Sequence, residues 1–255
     1  GASFALNADG SLAAHLPSFS EAVTTLQMKD DFGALTLTGA MAPPDEGMGE
    51  IWRALMLGLR DYVNKNGFPG VVLGLSGGID SAIVAALAVD ALGPDAVHAV
   101  MMPSAYTSRE SLDDAADLAG RLGIRLDEIS IAPAMQAMDG MLAEQFAGTD
   151  PGIAEENIQS RLRGMILMGI SNKSGPMVLA TGNKSEYAAG YSTLYGDMCG
   201  GFAPIKDVWK VQVFDLCRWR NENMPRGGAG PSGEIIPTRI IEKPPSAELR
   251  PDQKD

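Results

Sequence analysis

Residues Val71 to Ser81 read VVLGLSGGIDS, an apolar run that passes straight into a glycine turn ending on an acid and a hydroxyl. Val71 to Leu75 has the length and apolar content of a buried strand. Ser81 to Leu92 (SAIVAALAVDAL) carries apolar residues at helical spacing and is stopped by Gly93 and Pro94. The glycines therefore fall at a strand-to-helix turn. There Gly77 and Gly78 let the backbone approach an anion with no Cβ in the way, and the first N–H groups of the helix, with its dipole, point at that anion. The stretch predicts a polyphosphate site at the carboxyl end of a buried strand.

The loop lacks the GK[ST] ending of a Walker A motif, so neither the phosphate lysine nor the magnesium-binding hydroxyl stands at the usual spacing. Asp80 instead offers a carboxylate to Mg2+, and Ser76 and Ser81 offer hydroxyls to phosphate oxygens. SGGxDS after a strand resembles the loop of the ATP pyrophosphatases. That resemblance implies a loop that holds the leaving pyrophosphate while AMP passes to a substrate. The plain alternative is a glycine turn that only caps a helix; the flanking strand and helix favour phosphate.

Upstream, Ile51 to Lys65 has helical apolar spacing and ends at Asn66 and Gly67. Downstream, Ala96 to Met102 reads as a second strand, Thr107 with Glu110 as a capping box opening a helix that Gly123 closes, and Arg125 to Ile131 as a third strand. Glu155 to Asn172 is another helix despite Gly164 and Gly169, and Met177 to Thr181 a further apolar strand. This alternation predicts an α/β fold, a doubly wound parallel sheet with helices on both faces, Rossmann-like; the resemblance to the ATP pyrophosphatases implies its adenine nucleotide alpha hydrolase-like form. Such sheets bind ligands at the carboxyl ends of their strands, where the glycine loop lies. Phe4 to Leu16 reads as two short strands around an Asn7 to Gly10 turn, followed by a polar stretch to about Gly33. Residues 38–49, rich in Pro, Gly and Met, form the expected linker, and residues 50–255 the main domain. Met224 to Asp255 holds six prolines and several glycines and reads as a long mobile segment over the site rather than as core.

Twenty basic against 32 acidic residues give a net charge of −12, which argues against a nucleic-acid-binding face. No apolar run approaches a membrane span, and no leader with a cleavage site opens the sequence. Cys199 and Cys217 lack metal-type spacing and read as reduced structural thiols, so a cytoplasmic protein is expected. His15 and His98 stand in no arrangement that supports a Ser-His-Asp apparatus.

Thr181 to Glu186 (TGNKSE) should emerge at the same sheet edge as the glycine loop. Glu186 is then a second oxygen ligand for magnesium beside Asp80, and Lys184 can neutralise a phosphate or carboxylate; taken alone, the stretch could simply cap the next helix. Asn157, Ser160 and Arg161 lie one turn apart, positioned to grip one ligand, although helix arginines more commonly solvate the surface. Gly190 to Gly201 (GYSTLYGDMCGG) looks like a pocket-lining loop. Lys210 can reach a phosphate or stand as an exposed first-turn lysine; spacing does not separate the two. The methionines between Ile158 and Met168 fit core or a subunit interface.

Seven ordered segments together resemble the NAD+ synthetases, and more closely the synthetase half of their glutamine-dependent members. They are SGGIDS (76–81), MPSAYTS (102–108), ENIQSRLRG (156–164), TGNKSE (181–186), GYSTLYGD (190–197), GGFAPIKDVWK (200–210) and RIIEKPPSAELRPDQKD (239–255). The resemblance implies a ligase that amidates deamido-NAD+ through an acyl-adenylate, cleaving ATP to AMP and pyrophosphate, with ammonia as nitrogen donor. It implies Ser76, Gly77, Gly78, Asp80, Ser81, Thr181, Lys210 and Ser246 around ATP and pyrophosphate, and Asp80 and Glu186 on Mg2+. It further implies Asn157, Arg161, Lys184, Tyr191 and Asp197 around deamido-NAD+, with Asp80, Lys210, Lys243 and Asp197 as the catalytic groups. Lys243 would ride a mobile KPPSAEL loop that closes the site. A homodimer or higher oligomer is implied, as is a glutaminase partner domain, of which residues 1–37 would be the end. The segment is expected to be a fragment at both ends and to use free ammonia rather than glutamine. The other readings are a GMP synthetase-like or tRNA-thiolating ATP pyrophosphatase, and a nucleotide-binding regulatory module without turnover.

Overall fold

The computed structural model describes residues 1–250, which divide into two compact units, Gly1–Ala54 and Leu55 onward. In the first, β1 (Phe4–Leu6) and β2 (Leu12–His15) form an antiparallel hairpin around the expected turn, where Gly10 at φ 83° donates its N–H to Asn7 O. A second hairpin, β3 (Gln27–Asp31) with β4 (Ala34–Thr38), starts near the end of the stretch read as polar and runs past it. Its strands are almost wholly exposed and so lack the apolar alternation that marks a half-buried strand. The turn is a two-residue loop in which Phe32 (φ 52°) and Gly33 (φ 90°) both take positive φ, the backbone that matches strand twist. Arg53 is buried in this unit. It pairs with Asp45, donates to Ser18 O at 3.0 Å and lies over the Phe19 ring.

Helix α1 (Gly47–Lys65) begins inside the expected linker. After it come β5 (Val71–Gly74), α2 (Ile79–Leu92), β6 (Val97–Met101), α3 (Arg109–Leu122), β7 (Arg125–Glu128), α4 (Ala132–Leu142), α5 (Ile153–Ser174), β8 (Met177–Val178), α6 (Lys184–Ala189), α7 (Lys210–Glu222) and α8 (Thr238–Glu242). The four strands of this unit form one parallel sheet in the order β7-β6-β5-β8, with Val71 opposite both Val97 and Met177. The chain winds from β5 outward to β7, then returns to lay β8 on the free side of β5. The winding therefore reverses between β5 and β8, and the crevice at their carboxyl ends is the switch point where doubly wound sheets bind ligands.

Alternation along the strands divides the core. Val72, Val100 and Val178 pack with Leu167 of α5 and Ile131 on one face. Helix α2 covers the other face, and its alanine-rich surface is buried on nearly all sides because α3, α7 and α8 pack against it. Asp90 of α2 and Arg220 of α7 form a wholly buried two-pronged ion pair at 2.6 and 2.9 Å, and the same guanidinium donates to Pro231 O at 2.7 Å.

Several elements depart from expectation. The cap of α3 is Ser108, whose hydroxyl accepts from Ser111 N, while Thr107 accepts from Ser104 N. Both residues are cap formers, and spacing alone does not choose between neighbours. The third strand ends at Glu128, and the last keeps only Met177–Val178, followed by a single bridge from Leu179 to Phe202. Helix α4 is an element that the sequence pattern does not predict. The segment after Met224 is no free strap: Ile235, Ile236, Ile240 and Ile241 are buried, and Asn221 receives the N–H groups of Ile235 and Ile236. The prolines and glycines obscured two isoleucine pairs that anchor this segment. Residues 251–255, the end of the last quoted motif, lie outside the described residues. No helix among those described is long and apolar enough to cross a membrane.

Candidate active site

The glycine loop has the geometry its sequence implies. Gly77 takes φ +80°, and a Cβ there would lie 2.3 Å from Ser111 O, so only glycine fits between the loop and α3. Gly78 caps α2 in extended conformation and makes no side-chain cap bond, which leaves the first N–H groups of the helix open to an anion. Ser81 and Ser76 brace the turn: Ser81 Oγ donates to Gly78 O at 3.0 Å and accepts from Ser76 N at 3.2 Å, and the two hydroxyls stand 3.1 Å apart.

Asp80, one residue further along α2, meets Lys210 at the start of α7; the lysine ammonium donates to Asp80 Oδ2. Asp80 Oδ1 accepts from the side-chain amide of Asn183 at 3.0 Å. Asn183, entirely buried, caps α6: its Oδ1 accepts from Ser185 N at 2.9 Å and Glu186 N at 3.1 Å, and the Glu186 carboxylate accepts from Asn183 N at 2.9 Å. This is a capping box, so TGNKSE both caps a helix and brings Glu186 to Asp80. Burial, and after it the charge of Asp80, raises the Glu186 carboxyl to about 7. The glycine loop, two carboxylates and a lysine thus meet at the β5/β8 switch point.

Asn157 and Arg161 of α5 both face the 190–201 loop. Asn157 Oδ1 accepts from the Thr193 hydroxyl at 2.7 Å, and Arg161 Nε donates to Leu194 O at 3.2 Å. The loop sits so close that a Cβ on Gly164 would lie 2.9 Å from Gly196 O, which explains a glycine in mid-helix. Asp197 accepts from Thr193 N at 2.9 Å, and its own N–H donates to Ser160 Oγ at 2.9 Å. Asp197 keeps an exposed side, yet the protein packed behind its carboxyl raises it. Thr181 is half-buried between β8 and α6. Tyr191 is exposed, its N–H on Glu186 O. Lys184 places its ammonium 4.7 Å from the centre of the Trp209 ring.

Lys243 follows α8 and donates to Ser111 Oγ at 2.7 Å, on the same turn of α3 that touches Gly77. Ser246 accepts from Glu248 N at 3.3 Å. The Glu248 carboxylate in turn accepts from Ser108 N, Ser108 Oγ and Ser111 Oγ at 3.1, 2.7 and 2.8 Å. Lys243 and Ser246 are therefore gathered at the amino end of α3, one contact from the glycine loop. Sequence reasoning singled out neither Asn183 nor Glu248. Asn183 carried a signal, an Asn three residues before Glu186; Glu248 carried none, since its partners lie 137 and 140 positions away.

The donor set suits Mg2+. Two carboxylate oxygen donors stand close enough for one to raise the other, and a cation between them would relieve that repulsion. No cluster of three or more His, Cys, Asp or Glu residues fit to hold a metal occurs among the described residues. Magnesium fits this pattern, since it commonly takes one or two carboxylates and fills its remaining positions with phosphate and water.

A sequence model of the NAD synthase family matches residues 51–255, and the chain belongs to that family. Over its full length it is 57% identical to the glutamine-dependent NAD(+) synthetase of Rhodobacter capsulatus and 48% identical to that of Synechocystis sp.. It spans a little under half of those relatives, 46% and 44%. The glutamine-dependent NAD+ synthetase of Acinetobacter baumannii, solved with ADP, superposes with TM-score 0.88 at 44% identity over 98% of this chain and 46% of its own. An NMN synthetase from Francisella tularensis superposes with TM-score 0.70 at 33% identity over 83% of this chain and 80% of its own.

Proposed function

We propose that this chain is the synthetase part of a glutamine-dependent NAD+ synthetase, an ATP-dependent carbon–nitrogen ligase that converts deamido-NAD+ and ammonia to NAD+, AMP and pyrophosphate. The observation that carries this reading is the convergence of Asp80, Glu186 and Lys210 on the glycine loop, whose cap residue makes no side-chain bond, at the β5/β8 switch point. The loop N–H groups and the Ser76 and Ser81 hydroxyls receive the β- and γ-phosphates, Thr181 and Ser246 flank them, and Lys210 turns from Asp80 to phosphate. Asp80 and Glu186 would hold Mg2+, which supplies positive charge against the charge building on the pyrophosphate.

In this scheme the carboxylate of the nicotinate ring attacks the α-phosphorus and the bond to the β-phosphate breaks. Ammonia then adds to the acyl-adenylate carbon, losing a proton as AMP leaves. The chain's share is positioning and charge stabilisation. Asn157, Arg161 and the 190–201 loop with Tyr191 and Asp197 hold deamido-NAD+, Lys184 stands nearby for its negative charge, and Lys243 closes over the phosphates. Burial raises both cysteine thiols, and His98 is tied to Asp127 at 2.9 Å, which agrees with a route that needs no covalent nucleophile.

Residues 1–37 form the end of a glutaminase domain that would supply ammonia in the whole enzyme. The enzyme works in the cytoplasm, consistent with two free thiols. It works as a homodimer or higher oligomer, for which the exposed Met165 and Met168 of α5 provide apolar surface. The likeness to an NMN synthetase favours one second reading, a mononucleotide acceptor in place of the dinucleotide.

The test is to incubate the chain with ATP, Mg2+ and either acceptor, nicotinate mononucleotide or deamido-NAD+, supplying ammonium or glutamine. NAD+ and AMP should form in equal amounts from deamido-NAD+ and ammonium, with glutamine inert. Turnover of the mononucleotide alone would establish the second reading, and AMP formed with neither acceptor would contradict both.

A further inference from the structure

We propose that Asn183 and Ser185 are positioning residues that set two of the charged groups of the site, Asp80 and Lys210, against each other. This rests on the reading of Asp80 and Glu186 as the metal carboxylates and of Lys210 as a phosphate ligand. Asp80 comes from α2, Glu186 from α6 and Lys210 from α7, so three helices must be held in register to bring these groups together. The first turn of α6 ties all three.

Asn183 has no solvent exposure, and each part of its side chain is committed. Its Oδ1 accepts two N–H groups of α6, which fixes the amide plane and aims Nδ2 at Asp80 Oδ1, 3.0 Å away. That bond removes the rotational freedom of Asp80 and leaves Oδ2 toward Lys210. The backbone N–H of the same asparagine holds the Glu186 carboxylate at 2.9 Å, so one residue orients both acids. A residue that orients a metal-binding carboxylate in this way commonly accounts for a large part of the metal affinity.

Ser185 does the corresponding work for the lysine. Its hydroxyl accepts the N–H of Lys210 at 3.0 Å, satisfying one of the first N–H groups of α7, and the neighbouring Lys184 N–H donates to Val208 O at 2.9 Å. Together these fix the turn from which the Lys210 side chain extends. The motif TGNKSE therefore contributes more than Glu186: its asparagine serves the acid of α2 and its serine the lysine of α7.

The substitutions N183S and S185A separate the two roles. Serine at 183 keeps an oxygen for the N–H groups of α6 but cannot reach Asp80, and S185A removes only the hydroxyl. Mn2+ binding to the chain alone is followed by paramagnetic resonance, binding of α,β-methylene ATP without metal by calorimetry, and folding by thermal melting, with D80N alongside. N183S should weaken Mn2+ about tenfold or more while leaving the nucleotide near wild type. S185A should weaken the nucleotide severalfold and leave Mn2+ unchanged, and because it removes a single hydroxyl from a half-buried residue it tests the proposal even if N183S folds poorly.

If D80N loses Mn2+ while N183S binds it as wild type does, the role of Asn183 is overturned and the metal reading stands. If D80N and wild type bind Mn2+ alike, the metal reading itself fails and takes the role of Asn183 with it. If S185A leaves the nucleotide untouched, or lowers both affinities together with the melting temperature, the role of Ser185 is overturned.

Discussion

Gly77 occupies a left-handed backbone conformation with the carbonyl of Ser111 where a side chain would begin. Any other residue there must both strain its backbone and push α3 away from the loop. G77A should therefore lower stability by roughly 1–3 kcal/mol in denaturant unfolding and weaken ATP more than it weakens the dinucleotide. Glu186 makes a second residue-scale prediction. Its carboxyl is raised to about 7 in the folded chain, above its ordinary value of 4.5, so folding favours the protonated form. The stabilisation this contributes is complete below the unfolded value and is lost as pH rises through about 7. Without metal, the melting temperature should fall by a few degrees across that window, and E186Q should flatten the fall. Added Mg2+ should restore the loss in wild type and not in E186Q.

At the scale of elements, Arg220 and Asp90 join α7 to α2, and α7 carries Lys210 to the site. R220M removes the guanidinium that pairs with the buried Asp90 carboxylate, a change that costs about 3–5 kcal/mol in comparable settings and should appear in chemical denaturation. The elements also show what could be read in advance and what could not. The β5–turn–α2 unit was legible because a short apolar run, two glycines and an alanine-rich helix agree at every level. Glu186 was legible through its motif, while the reason it reaches Asp80 lay in the capping asparagine beside it. The β3–β4 hairpin was not legible, because its strands bury no face and so carry no alternation. The segment after Met224 misled because composition was read where two isoleucine pairs decided burial. The serines that Glu248 binds on α3 and the aspartate that Arg220 binds on α2 lie more than a hundred residues away, and no local pattern announces such pairs.

At the scale of the whole unit, the winding order β7-β6-β5-β8 places the reversal beside the one strand that ends in the glycine loop. That coincidence lets loops separated by about a hundred positions build one candidate site, in the crevice where doubly wound sheets bind ligands. The central claim is that deamido-NAD+ is activated there by direct attack of its carboxylate on the α-phosphorus of ATP. The most direct measurement follows a heavy-oxygen label placed in that carboxylate, with Mg2+, ATP and ammonium present and the AMP product examined by mass spectrometry. The claim predicts one labelled oxygen in each AMP formed, because the oxygen that bridges the acyl-adenylate leaves with the phosphate. AMP free of label would mean that water or an enzyme group had attacked the phosphorus, and would contradict it.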